Sequence, residues 1–111
     1  MALASNEIRQ QQALAMIHDL DSMISRLNTM KMNLVNASTD LLSFASTLDP
    51  DSPEMKVIER RRQQLAAYEK KIDAEIQVYQ NRRKKAEAML QDATQKVDKA
   101  ISRMYGGGEA R

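Results

Sequence analysis

His18, the only histidine, stands next to Asp19, and an imidazole beside a carboxylate is the pairing that a general base or a metal ligand would use. One histidine without a partner cluster supports neither role, and the chain has no cysteine to supply a thiolate nucleophile or ligand. His18 therefore reads as a solvent-facing residue. Two basic runs, Arg60-Arg61-Arg62 and Arg82-Arg83-Lys84-Lys85, carry charge that could meet phosphates. On a helix, however, consecutive residues point in nearly all directions around the axis. Glu59, Glu69, Asp73, Glu75 and Glu87 also interleave with the basic groups at i,i+3 and i,i+4 spacings. The runs thus read as a solvated, salt-bridged face, and nucleic acid is not assigned as a partner. Gly106-Gly107-Gly108 precedes no helix, so it is no phosphate loop. Asn36-Ala37-Ser38 has the glycosylation pattern but falls inside a helical stretch. The chain is read as non-enzymatic, with no catalytic, cofactor-binding or metal residues and no small-molecule substrate.

The elements that carry these residues are legible in the composition. The 111 residues include eight Met, one Phe, three Tyr and no Trp, with 29% charged residues and only five Gly plus Pro. That balance belongs to long helices or coiled coils, not to a sheet protein. No segment has the roughly 20 apolar residues needed to span a bilayer. The N-terminus lacks a basic region followed by a continuous apolar run, so synthesis in the cytoplasm without a cleaved leader is expected. Residues 1–49 hold three basic and five acidic groups, and residues 50–111 hold 14 and 10, for a net charge of +2 overall. Halves of opposite sign attract weakly when folded back on each other.

Leucine recurs every seventh residue through the first half, at Leu20, Leu27, Leu34, Leu41 and Leu48. A second column at the same spacing holds Ile17, Ile24, Lys31, Ser38 and Ala45. The second half repeats the pattern with Ile58, Leu65, Ile72, Tyr79, Ala86, Ala93 and Ala100, beside Met55, Arg62, Glu69, Ile76, Arg83, Leu90, Val97 and Met104. Columns sustained this long keep one stripe turned toward a partner helix, as in a left-handed supercoil.

Pro50 and Pro53 divide the two halves. Proline breaks a helix interior but is favourable at a first helical position. Ser52 is then the expected N-cap, with Glu54 well placed in the first turn. The reading is one all-α domain over 1–111, a hairpin of two long antiparallel helices at about 5–48 and 53–105. A turn at 49–52 joins them and a flexible tail covers 106–111, beginning with a glycine cap. Folding about residue 51 brings Leu27 to Ile76, Ile17 to Ala86, Ile24 to Tyr79 and Leu3 to Met104. Lys31 falls near Ile72, within reach of Glu69 or Glu75. The polar seam residues Lys31, Ser38, Arg62 and Glu69 are expected to hold the register.

A further column, Met16, Met23, Met30, Ala37 and Phe44, widens the apolar face of the first helix beyond what one partner covers. Such a face predicts contact with other chains, either copies of this one or a helical partner.

Pro50-Asp51-Ser52-Pro53 between two amphipathic helices resembles the Pro-x-x-Pro turn of type III secretion needle subunits, small helical hairpins that stack into hollow filaments. The long polar-alanine helix from Leu65 to Tyr105 is similar to the packing helix of those subunits. Tyr105-Gly106-Gly107-Gly108-Glu109 resembles the Tyr-x-x-x-Asp/Glu export signal of the WXG family of secreted hairpins, although this chain has no Trp-x-Gly. Both resemblances imply a self-assembling hairpin that is secreted by, or forms a filament-like part of, a bacterial secretion apparatus. Export would then be independent of a signal peptide, with Tyr105 and Glu109 as its signal. The alternative is a cytoplasmic coiled-coil adaptor or secretion chaperone that holds an amphipathic partner helix.

Overall fold

The computed structural model describes residues 2–106 of the chain. It is all-α. Helix α1 spans Ala2–Ala45, helix α2 spans Pro53–Ile101, and the two pack against each other as a helical hairpin. Contacts along the hairpin group into two units, one of Met23–Val78 and one of Met1–Ser22 with Tyr79–Arg111.

The turn belongs to the first unit. α1 ends at Ala45, three residues before the expected Leu48, and the chemistry of serine and threonine accounts for the difference. The Ser46 hydroxyl donates to the Ser43 carbonyl at 2.6 Å, and the Thr47 hydroxyl donates to the Phe44 carbonyl at 2.7 Å. Short hydroxyl side chains compete in this way for the carbonyls that would continue a helix. The backbone tightens as well, with Thr47 N–H donating to Phe44 O and Leu48 N–H to Ala45 O, the i−3 pattern that closes a last turn.

Asp49 organises the turn itself. Its carboxylate accepts the Asp51 N–H at 3.1 Å and its carbonyl accepts the Ser52 N–H at 3.0 Å. An aspartate that mimics a backbone turn in this way is well suited to precede proline. α2 begins at Pro53, whose missing N–H is no loss at a first helical position. Ser52 occupies the cap position, but its hydroxyl is buried and has no hydrogen-bond partner, which corrects the expected side-chain cap. The Met55 N–H that such a hydroxyl would take is already bound to the Ser52 carbonyl. Glu54 in the first turn and Lys99 in the last have the signs that the helix dipole favours.

In the unit Met23–Val78 the core is a single stripe of Leu27, Ile58, Leu65, Ile72 and Ile76, all buried. Ile24, Leu34, Leu41, Leu48 and the polar Lys31, Ser38, Arg62 and Glu69 are half-buried along the same columns. In the other unit the buried residues are Ala13, Leu20, Ala86, Ala93 and Val97, with Ile17, Tyr79 and Leu90 half-buried. Three alanines in that stripe let helix backbones approach closely, where larger side chains would hold them apart.

At its end α2 widens into a π-type turn, Ser102–Gly106. Among the described residues no glycine has a positive φ, and Gly107 and Gly108 lie outside them. Met104, within that turn, is 63% exposed where the spacing had placed it in the seam.

The roles of Asp49 in the turn and Ser52 at the cap separate cleanly by mutation. Asp49→Ala is expected to lower stability by about 1 kcal/mol, since it leaves a turn N–H without its acceptor. Ser52→Ala is expected to change it by less than about 0.5 kcal/mol, because the hydroxyl it removes makes no bond. Denaturant melts followed by circular dichroism read both, and an equal loss in the two variants would contradict this assignment.

Candidate interaction surface

Cross-helix ion pairs flank the seam and mark its register. In one unit Arg9 meets Asp92 at 3.2 Å, Gln10 donates to the Thr94 hydroxyl at 3.0 Å, and Arg83 donates to Asp21 at 2.6 Å. From Arg9–Asp92 to Asp21–Arg83 the α1 number rises while the α2 number falls, which is the antiparallel order. Arg83 is also paired with Glu87, and Asp92 with Lys96, so each cross-helix contact sits in a small network. In the other unit Lys31 meets Asp73 at 2.8 Å, not the Glu69 or Glu75 expected from the fold-back. Asp73 follows Ile72 in sequence and flanks the seam, where a long lysine reaching out of the stripe finds it first.

These contacts leave their mark on the ionisation of the groups involved. The hydrogen bond from Arg83 holds the Asp21 carboxyl below its ordinary value, and bonds from Lys96 and then Arg9 do the same for Asp92. The bond to Asp73 raises the Lys31 ammonium. All the pairs lie at the surface, where such contacts contribute little each and are screened by salt.

The basic runs divide as a helix requires. Arg60 and Arg61 are exposed and Arg62 is half-buried, while Arg82, Lys84 and Lys85 are exposed and Arg83 is taken up by Asp21 and Glu87. Arg82 stacks on Tyr79, 5.5 Å from the ring centre. His18 is exposed, with Asp19 at 4.0 Å. Among the described residues, no three His, Asp or Glu side chains come together.

What stands out instead is apolar surface. In the unit Met23–Val78, Met23, Met30 and Phe44 of the α1 column are 41%, 52% and 55% exposed. Tyr68 of α2 is 52% exposed. Leu27, Met30 and Leu34 of α1, with Tyr68 and Ile72 of α2, line an open groove of about 450 Å³. Lys71 and Glu75 edge it, and the Lys71 ammonium lies over the Tyr68 ring at 5.8 Å. Met16, from the same column, is exposed in the other unit. A second hollow lies near the turn, lined by Leu42, Ala45, Met55 and Ile58. Arg62 also lines it, and the Arg62 Nε is buried without a hydrogen-bond partner.

Tyr68 was invisible to heptad reading because its own column, Arg61, Tyr68, Glu75 and Arg82, is otherwise charged. Only the fold-back, which sets Tyr68 across the groove from Leu34, would have found it. Tyr105 is exposed in the closing π-type turn, and Glu109 lies outside the described residues.

The depressed Asp21 and Asp92 values give a signed pH dependence. Their contribution is present above the ordinary carboxylate value of 3.8 and is lost as pH falls through the lower folded-state values. Lys31 behaves oppositely, its contribution present below 10.5 and lost as pH rises through the raised value. The melting temperature should therefore be flat around neutrality and fall in acid, and the acid loss should shrink in Asp21→Asn/Asp92→Asn. An identical acid profile in that variant would refute this account of the two pairs.

No protein-family model matches this sequence, and no curated protein or solved structure matches it.

Proposed function

We propose that this chain is a non-enzymatic structural hairpin that acts by assembling with further copies of itself through the apolar column of α1. The observation that carries the reading is the exposure of Met23, Met30 and Phe44 in one column outside the hairpin seam, with Met30 lining an open groove. Large exposed apolar side chains grouped on one face mark interaction sites in water-soluble chains, whereas scattered ones do not. Methionine suits such a face because its flexible thioether adapts to a partner's contours.

The resemblance to needle subunits and WXG-family hairpins supplies the setting, in which assembly belongs to a bacterial secretion apparatus and the chain is exported without a signal peptide. The two-proline turn and the terminal Tyr105 support that setting. A second reading, an adaptor or secretion chaperone for an amphipathic helix, is favoured by the groove at Met30 and Tyr68, whose shape would receive a helix.

The variant Met23→Glu/Met30→Glu/Phe44→Glu tests the assembly reading. It should keep the helix content of the parent, since these side chains lie outside the seam, and elute later on size exclusion as a smaller species. An unchanged elution volume with unchanged helix content would sink the reading.

A further inference from the structure

The exposed column is flanked on α1 by a row that the hairpin leaves unused: Arg26, Asn33 and Asp40, seven residues apart and all exposed. Among the described residues, Arg26 and Asp40 take part in no ion pair, although a cross-helix pair engages Lys31 in the same unit. The row carries opposite charges at its two ends, equidistant from Asn33. On the far side of the groove α2 likewise presents one charge of each sign, Lys71 and Glu75. A rim that is positive at one end and negative at the other repels part of any strongly acidic or strongly basic partner. It complements a surface that carries the same pattern reversed.

A second copy of this chain, turned end for end, is such a surface. We propose that the unit Met23–Val78 pairs with its counterpart in a second copy through an isologous, antiparallel contact of α1 on α1, centred on Asn33. This specifies the geometry of the self-assembly proposed above and rests on it. About a two-fold axis at Asn33, Arg26 comes to the partner's Asp40, and Asp40 comes to the partner's Arg26. The same alignment sets Met30 within one residue of the level of the partner's Ala37 and Met23 within one residue of the level of the partner's Phe44, so that large side chains meet small or flexible ones. A parallel pairing would set Arg26 on Arg26, Asp40 on Asp40 and Phe44 on Phe44, and like charges in contact disfavour it. The groove beside Met30 and Tyr68 then receives side chains of the partner's α1, which closes the apolar face of both copies in one step.

Two single charge reversals and their mixture test the geometry. Arg26→Asp makes both flanks acidic, and Asp40→Arg makes both basic. Each alone should raise the dissociation constant measured by analytical ultracentrifugation by about tenfold or more at low salt. Mixed one to one, the two variants should form a heterodimer of near-parental affinity, since both acidic flanks of one then face both basic flanks of the other. If either variant alone associates as the parent does, or if the mixture is no tighter than its components, the antiparallel contact is wrong. Self-association of the parent chain would survive either of those results. A parent chain that never associates would remove the assembly reading itself.

Discussion

Two helices can hide only one stripe each from water, and the molecule is organised around that limit. A residue at a seam column is covered by the facing helix, while a residue one position away is left at the rim. The most buried residues are Ala13, Ala86, Ala93 and Leu65, and among the described residues no large side chain is fully enclosed. The stripe also has a polar section in which Lys31, Ser38, Arg62 and Glu69 take the places of apolar residues. Those substitutions cost stability, yet a seam made only of leucine could slide by a heptad with little penalty. Lys31 reaching Asp73 and Arg83 reaching Asp21 each fit one alignment only.

The same limit explains why the apolar column of α1 matters. A further stripe has nowhere to go in a hairpin, so methionines and a phenylalanine placed there face solvent until something covers them. A hairpin with a charged outer surface all round would be complete by itself. This one exposes an apolar column on α1 as well as single apolar residues elsewhere, such as Met32 and Val57, and association through the column is the simplest way to bury it.

Much of this was legible in the residues. The period of seven, sustained through both halves, placed nearly every covered position, and Pro50 and Pro53 located the turn. The features that the spacing missed share a cause: local hydrogen bonding that competes with helix continuation. Ser46 and Thr47 end α1 early through their own hydroxyls, and Asp49 rather than Ser52 supplies the side-chain acceptor at the turn. Each choice is among alternatives of similar energy that a spacing pattern does not resolve. Tyr68 and the pairing of Lys31 with Asp73 escaped for a different reason. They depend on which flank of the seam faces which, a property of two helices together that no single column records.

The central claim is that the exposed α1 column associates with copies of itself. Static light scattering on the unmodified chain across a wide concentration range tests it most directly. The account expects the mass to rise above the 12.6 kDa of one chain as concentration increases. A mass that stays at one chain throughout, with full helicity, would contradict it.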